Sequence, residues 1–379
     1  MRVAELPVVS RRDERPFGYH CFVRWRLDED EGGEATQSTL FQVEPGVDVV
    51  ERRPGQGAFR GMEFLHVRAG TIINSLGPSS GLPFRHTINA YRGCSHACTY
   101  CFARPSHEWL ELDIDEGFER QVVVKVNAVE RLRTELAPRR WAGGPIAMGT
   151  NTDPYQRCEG IYGLTRGLVE VLAEHRNPFS ILTKSTLVLR DLDLLTEASR
   201  RTDVGVNFSI GTLDPGVWQA TEPGTPHPLR RVEALAHLRK AGVRCGVLVA
   251  PVLPGLSDSA AQLDAVVAAC TEAGASTISG GQVVYLKPGT REVFLAHLAS
   301  THPHLVERYQ QLYQGVYAPK ELRHQVHQRL RKAIDRHQGQ EVAITRNRGP
   351  RLGKDRAGAP SPPPAATAAS VSTQLGLPL

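Results

Sequence analysis

"HTINAYRGCSHACTYCFARP", residues 86–105, begins as a short strand-like run and ends in a loop holding three of the chain's seven cysteines within eight positions. Cys94, Cys98 and Cys101 are spaced three and then two residues apart, while Cys21, Cys158, Cys245 and Cys270 stand alone. A closed structural zinc site takes four ligands, and a cubic iron–sulfur cluster normally takes four thiolates. The loop is therefore one ligand short. Two chemistries are open at this point: zinc completed by His96 or His107, or a cluster with one iron left free for a substrate.

Downstream, apolar runs alternate with amphipathic ones. "PIAMGT" (145–150) precedes "TRGLVEVLAEHR", "FSILTKS" (179–185) precedes "RDLDLLTEASRR", and "VGVNFSIGT" (204–212) precedes "LRRVEALAHLRKAG". "CGVLVAPVLP" (245–254) precedes "SAAQLDAVVAACTEAG", and "STISGGQVVYLKP" follows. Strands apolar on both faces are those of a parallel sheet, and apolar residues three and four apart mark the helices. Six such units predict an α/β fold, a partial (β/α)6 barrel of the TIM type or a doubly wound sheet. In either, the chemistry gathers at the carboxyl ends of the strands.

The flanks read differently. Residues 1–80 suggest a small β-rich or partly disordered lead-in, 81–290 the α/β core, and 291–340 a helical extension. Residues 341–379 turn basic and then rich in Ala, Pro, Ser and Thr, a composition that cannot offset its ordering entropy and predicts a disordered tail. No run approaches the ~18 apolar residues of a membrane span. The start, "MRVAELPVVSRRDERPF", lacks a secretory pattern, so a cytoplasmic protein is expected. In that compartment clustered cysteines bind metals or act in catalysis rather than forming disulfides.

With these motifs assembled, the chain resembles the radical S-adenosylmethionine superfamily. "NAYRGCSHACTYCFAR", "GTNTDPYQ", "ILTKS" and "APVLPGLSD" are similar to its spore-photoproduct-lyase-like branch, over roughly residues 82–290. The resemblance implies that Cys94, Cys98 and Cys101 hold a 4Fe-4S cluster whose open iron is chelated by S-adenosylmethionine. It implies reductive cleavage to a 5′-deoxyadenosyl radical, driven by a flavodoxin- or ferredoxin-type electron donor. Thr150, Asn151, Thr152 and Asp153 would accept from the methionyl ammonium, Lys184 would meet the ligand's carboxylate, and Ser209 would lie near its sugar. Tyr100 would pack beside the adenine, with Val249, Ala250 and Pro251 as the apolar wall. Each has a plainer reading as well: "NTDP" as a turn, Lys184 as a strand-end lysine reaching solvent, and "VLVAPVLPG" as core.

The resemblance to spore photoproduct lyase itself breaks at two places. Met148 stands where that enzyme's hydrogen-donating cysteine is expected, and Phe102 and Ala103 follow the last cluster cysteine in place of tyrosines. Cys158 is the candidate substitute donor; the plain alternative is a passive small residue.

DNA or RNA is the expected substrate class. The net charge is +5, but residues 320–356 carry eleven Lys and Arg (among them Arg323, Arg331 and Arg348) against Glu321, Asp335, Glu341 and Asp355. "QLGLPL" (374–379) resembles peptides that dock on a bacterial sliding clamp. The expected protein is a radical S-adenosylmethionine enzyme acting on nucleic acid by lyase, repair or modification chemistry. The alternatives are a zinc-loaded nucleic-acid-binding module without catalysis, and radical modification of a protein or peptide.

Overall fold

A computed structural model describes residues 48–77, 84–137 and 141–338. The expected tail and the clamp-like "QLGLPL" lie outside the described residues.

Among the described residues the eleven strands are β1 (Asp48–Pro54), β2 (Glu63–Arg68), β3 (Ile73–Ser75), β4 (His86–Ile88), β5 (Tyr91–Arg92), β6 (Gln121–Lys125), β7 (Ile146–Met148), β8 (Phe179–Thr183), β9 (Val204–Ser209), β10 (Arg244–Val249) and β11 (Ile278–Gly280). Seven form the main sheet in the order β11-β10-β9-β8-β7-β4-β3. The six from β4 to β11 run parallel, one per predicted unit, and only β3 pairs antiparallel, at one edge. The expected parallel α/β architecture is present. Among the described residues, β3 and β11 stand at opposite edges of this sheet.

The strands are buried as their composition demands. Val206, Phe208, Ile181, Cys245, Val247 and Val249 lie in one core with helix residues such as Leu168, Leu172, Leu195, Leu235, Leu238 and Val266. Helix entry is set by recognisable caps. Asp214 accepts from the Val217 amide, and Ser259 and Gln262 form a reciprocal capping box.

Residues 48–68 do not stand apart. β1 and β2 join β6 and β5 in a second sheet, ordered β1-β2-β6-β5, with Leu65, Val67, Leu110 and Val123 as its own small core. β6 comes from the excursion between β4 and β7. The second sheet therefore ties residues 48–68 to the chain on both sides of the cysteine loop. After β11 the described residues are mostly helical, and the last of these helices, Lys320–Gln338, packs on the helix Ala260–Glu272. Among the described residues no helix is long and apolar enough to cross a membrane.

Candidate active site

The cysteine loop opens at Gly93, whose φ of +79° and closeness to the Gln121 carbonyl, 2.6 Å from where a Cβ would sit, leave room only for glycine. Its turns are closed by Ala97 N–H to Cys94 O and Cys101 N–H to Cys98 O, both 3.2 Å, with Ala97 itself at positive φ. The fully buried Arg104 forms the loop's spine. Its guanidinium donates to the carbonyls of Cys98, Ile114 and Asp115 and pairs with Glu119.

Two strand ends clamp this loop. From β7, Thr152 donates to Tyr91 O at 2.8 Å, Gln156 donates to Gly93 O at 2.9 Å and accepts from Ser95 N–H at 3.0 Å, and Asp153 faces His96 Nδ1 at 3.4 Å. Asp153 also accepts from Thr183 Oγ1 and the Lys184 amide at the end of β8, each at 2.7 Å. Burial works to raise this carboxyl, but His96, Thr183 and the Lys184 amide outweigh it and hold it at about 2. Beyond β9, the Thr221 carbonyl accepts from Thr99 N–H and Gly224 N–H donates to His96 O. A Cβ on Gly224 would lie 2.2 Å from Ser95 O, so this approach requires glycine.

Beneath the loop lies a buried charge network. Glu222 accepts from the Tyr100 hydroxyl and pairs with Arg231, which also donates to Ser209 O and Pro226 O. The Lys184 ammonium sits 5.7 Å from the centre of the Tyr100 ring. Burial opposes the charged form of both Lys184 and Glu222. The negative charges of a Cys98 thiolate and Glu222 nevertheless bring Lys184 above its usual value, and Arg231 and Lys184 bring Glu222 below its own.

The sequence-predicted residues separate into groups. Cys94, Cys98, Cys101, Tyr100 and Lys184 come together. Thr150 and Asn151 reach the same strand end half-buried, with no side-chain hydrogen bond to the described protein. Thr152 and Asp153 are committed to supporting the loop, and the Ser209 hydroxyl donates to Ala250 O at 2.7 Å. Val249 is fully buried while Ala250 and Pro251 are half-buried at the end of β10. Cys158 is fully buried in the core, where burial and Glu159 push its thiol far up, so it does not reach the rim. Residues the sequence did not single out are Arg104, Gln156, Glu222, Arg231 and Asn89. Asn89 follows β4, and its buried Oδ1 has no partner among the described residues.

The donor set suits a cluster. All three thiols are free, Cys94 and Cys98 are buried, and Cys101 is half-exposed. Burial pushes Cys98 up to about 12 and Cys94 well above the usual thiol range, and the neighbouring thiolates add repulsion. A cationic iron group reverses that balance by holding coordinating thiols deprotonated. His96 is turned to Asp153, and the ring Nε2 of His107 lies 3.0 Å from Gln121 O. Among the described residues no three His, Cys, Asp or Glu side chains converge as a single ion would require. A cluster spreads its thiolates over separate irons.

Comparison with known proteins agrees with this geometry. The profile of the Radical SAM superfamily matches residues 88–265. The uncharacterized protein Rv2578c of Mycobacterium tuberculosis is 44% identical over 279 residues, covering 73% of this chain and 81% of that protein. The uncharacterized protein MJ0683 of Methanocaldococcus jannaschii is 31% identical over 197 residues, 52% of this chain and 70% of that one. Among solved structures, a spore photoproduct lyase variant with bound AdoMet and dinucleoside spore photoproduct superposes with a TM-score of 0.51 at 19% identity, covering 70% of this chain and 76% of that chain. At that identity the likeness concerns the fold.

Proposed function

The chain belongs to the radical SAM superfamily, which uses a 4Fe-4S cluster and S-adenosylmethionine, and from that premise we propose that it acts on nucleic acid in a repair or modification reaction. When bound, the cluster and S-adenosylmethionine supply a one-electron reductive cleavage that yields a 5′-deoxyadenosyl radical.

The chain's own residues do the rest. Cys94, Cys98 and Cys101 would hold the cluster and leave a position on it for the ligand. Lys184 offers a compact cation to the ligand's carboxylate, and Thr150 and Asn151 offer uncommitted acceptors to its ammonium. Tyr100, anchored by Glu222, presents a fixed ring beside the adenine, and the end of β10 walls the pocket. The Gln156, Thr152 and Asp153 clamp keeps the loop rigid, so little reorganisation is needed when the ligand arrives. A flavodoxin- or ferredoxin-type protein would deliver the electron.

The observation carrying the substrate class is the helix Lys320–Gln338. It leans over the end of β11, with its backbone at His327 3.5 Å from where a Gly281 Cβ would sit, and carries Lys320, Arg323, Arg331 and Lys332 exposed. Six Lys and Arg face two acidic residues along it, a surplus suited to phosphates. The dinucleoside in the solved relative points the same way by analogy of fold.

The test is to incubate the reconstituted enzyme with S-adenosylmethionine, reductant and deuterated single-stranded DNA or RNA. Nucleic acid should raise 5′-deoxyadenosine formation and pass deuterium into it. An unchanged rate and unlabelled product with every nucleic acid would overturn the substrate class.

A further inference from the structure

Phe102, at 48%, and Tyr317, at 58%, are large aromatic side chains that stand exposed. Phe102 directly follows the last cluster cysteine. Tyr317 is distant in sequence, but the chain connects the two places. Thr290 Oγ1 donates to Cys101 O at 3.1 Å, and Gly289 sits so close to the loop that a Cβ would lie 3.2 Å from Pro105. From there the segment 285–289 runs back to the turn before the helix Lys320–Gln338, where the Leu286 amide donates to Val316 O at 3.0 Å and Arg291 donates to Gly315 O.

That junction brings Tyr285 and Tyr317 together, ring centres 5.0 Å apart and tilted by 42°. The Arg323 guanidinium lies 5.5 Å from the centre of the Tyr317 ring, steadied by a 3.0 Å bond from its Nε to Ala318 O. Lys320 and Arg323 are exposed at the start of the helix, and Lys287 lies half-buried between the tyrosines and the loop. An aromatic pair of this kind ordinarily hides its faces in a core. Here one residue of the pair, Tyr317, is exposed, with Tyr285 and Arg323 as its neighbours.

We propose that Tyr285, Tyr317 and Arg323 form a stacking platform for an unpaired base of a single-stranded nucleic acid, with Lys320 and Lys287 taking the adjoining phosphates and Phe102 marking the end of the strip at the cluster loop. This inference rests on the nucleic-acid reading above. Exposed aromatic faces interleaved with cations fit a single strand, because every base offers a π face and every nucleotide a phosphate. A paired duplex keeps its bases stacked on one another and cannot offer them to the rings.

The experiment is fluorescence anisotropy of a labelled mixed-sequence single strand of about 20 nucleotides, titrated with cluster-reconstituted full-length protein. Wild type, Tyr317→Ala, Tyr317→Phe and Arg323→Ala are compared at equal iron content. Tyr317→Ala should weaken binding about 5- to 150-fold, the range of one lost stacking contact, while Tyr317→Phe should bind like wild type. Arg323→Ala should weaken binding and flatten its dependence on salt. Duplex of the same sequence should bind more weakly than the single strand. Wild-type binding of the strand with no loss in Tyr317→Ala would remove the platform and leave the substrate class standing. Failure of wild type to bind any oligonucleotide, even at low salt, would remove both.

Discussion

Glu222 has its carboxylate buried against a phenol and a guanidinium, with a lysine ammonium near enough to act on it. Replacing it by Leu would leave the buried Arg231 without its counter-charge, a change that costs about 3–5 kcal/mol. The denaturation midpoint should fall accordingly, whereas Glu222→Gln, which keeps an acceptor for Tyr100, should fall less. Lys184→Met should retain iron yet bind S-adenosylmethionine more weakly, as equilibrium binding to the reconstituted protein would show. His107 gives a pH prediction. Burial holds its ring down at about 4 against an ordinary 6.5, so between those values the unfolded chain takes up the proton that the folded one refuses. Stability should therefore be full above about pH 6.5 and decline as the pH drops toward 4, by up to roughly 3 kcal/mol, and His107→Gln should flatten that slope in thermal unfolding. At this scale the cysteines were legible because their spacing is local. Tyr100 and Glu222 lie 122 positions apart, and nothing in a linear pattern marks a pair that only tertiary packing joins.

Strand ends carry the site, and that of β7 depends on glycine. Gly149, between β7 and Thr150, has a φ of +85°, and a Cβ there would lie 1.9 Å from Leu182 O on β8. Gly149→Ala should cost about 2–4 kcal/mol through backbone strain and forced separation of the strands. The measurement is a lowered melting temperature, together with loss of iron after reconstitution because Thr152, Asp153 and Gln156 would shift with the strand end. The six parallel strands could be read from the sequence because burial on both faces makes them continuously apolar. β6, "QVVVK", is just as apolar, yet it was not identified. Its parallel partner β2 lies 58 residues upstream, and the run stands outside the strand–helix rhythm that revealed the others.

At the scale of the whole molecule, the cysteine loop is held by both sheets. β5, which leads into it, belongs to the second sheet, whereas the clamps from β7 and β9 belong to the first. This explains why the segment 48–68 is part of the fold. Its function is indirect, and its short alternating pieces carry no chemistry to announce it. The core fold was foreseeable from periodicity, while the junction of residues 285–289 with the turn before the helix Lys320–Gln338 was not. Cys158, sealed in the core, should be replaceable by Ala without loss of turnover. The most direct test of the account is made on anaerobically reconstituted protein, reduced with dithionite and given S-adenosylmethionine, with a variant lacking Cys94, Cys98 and Cys101 beside it. The account predicts 5′-deoxyadenosine from the wild type alone. A wild type that assembles its cluster yet forms none, or a triple variant that forms as much, would contradict it.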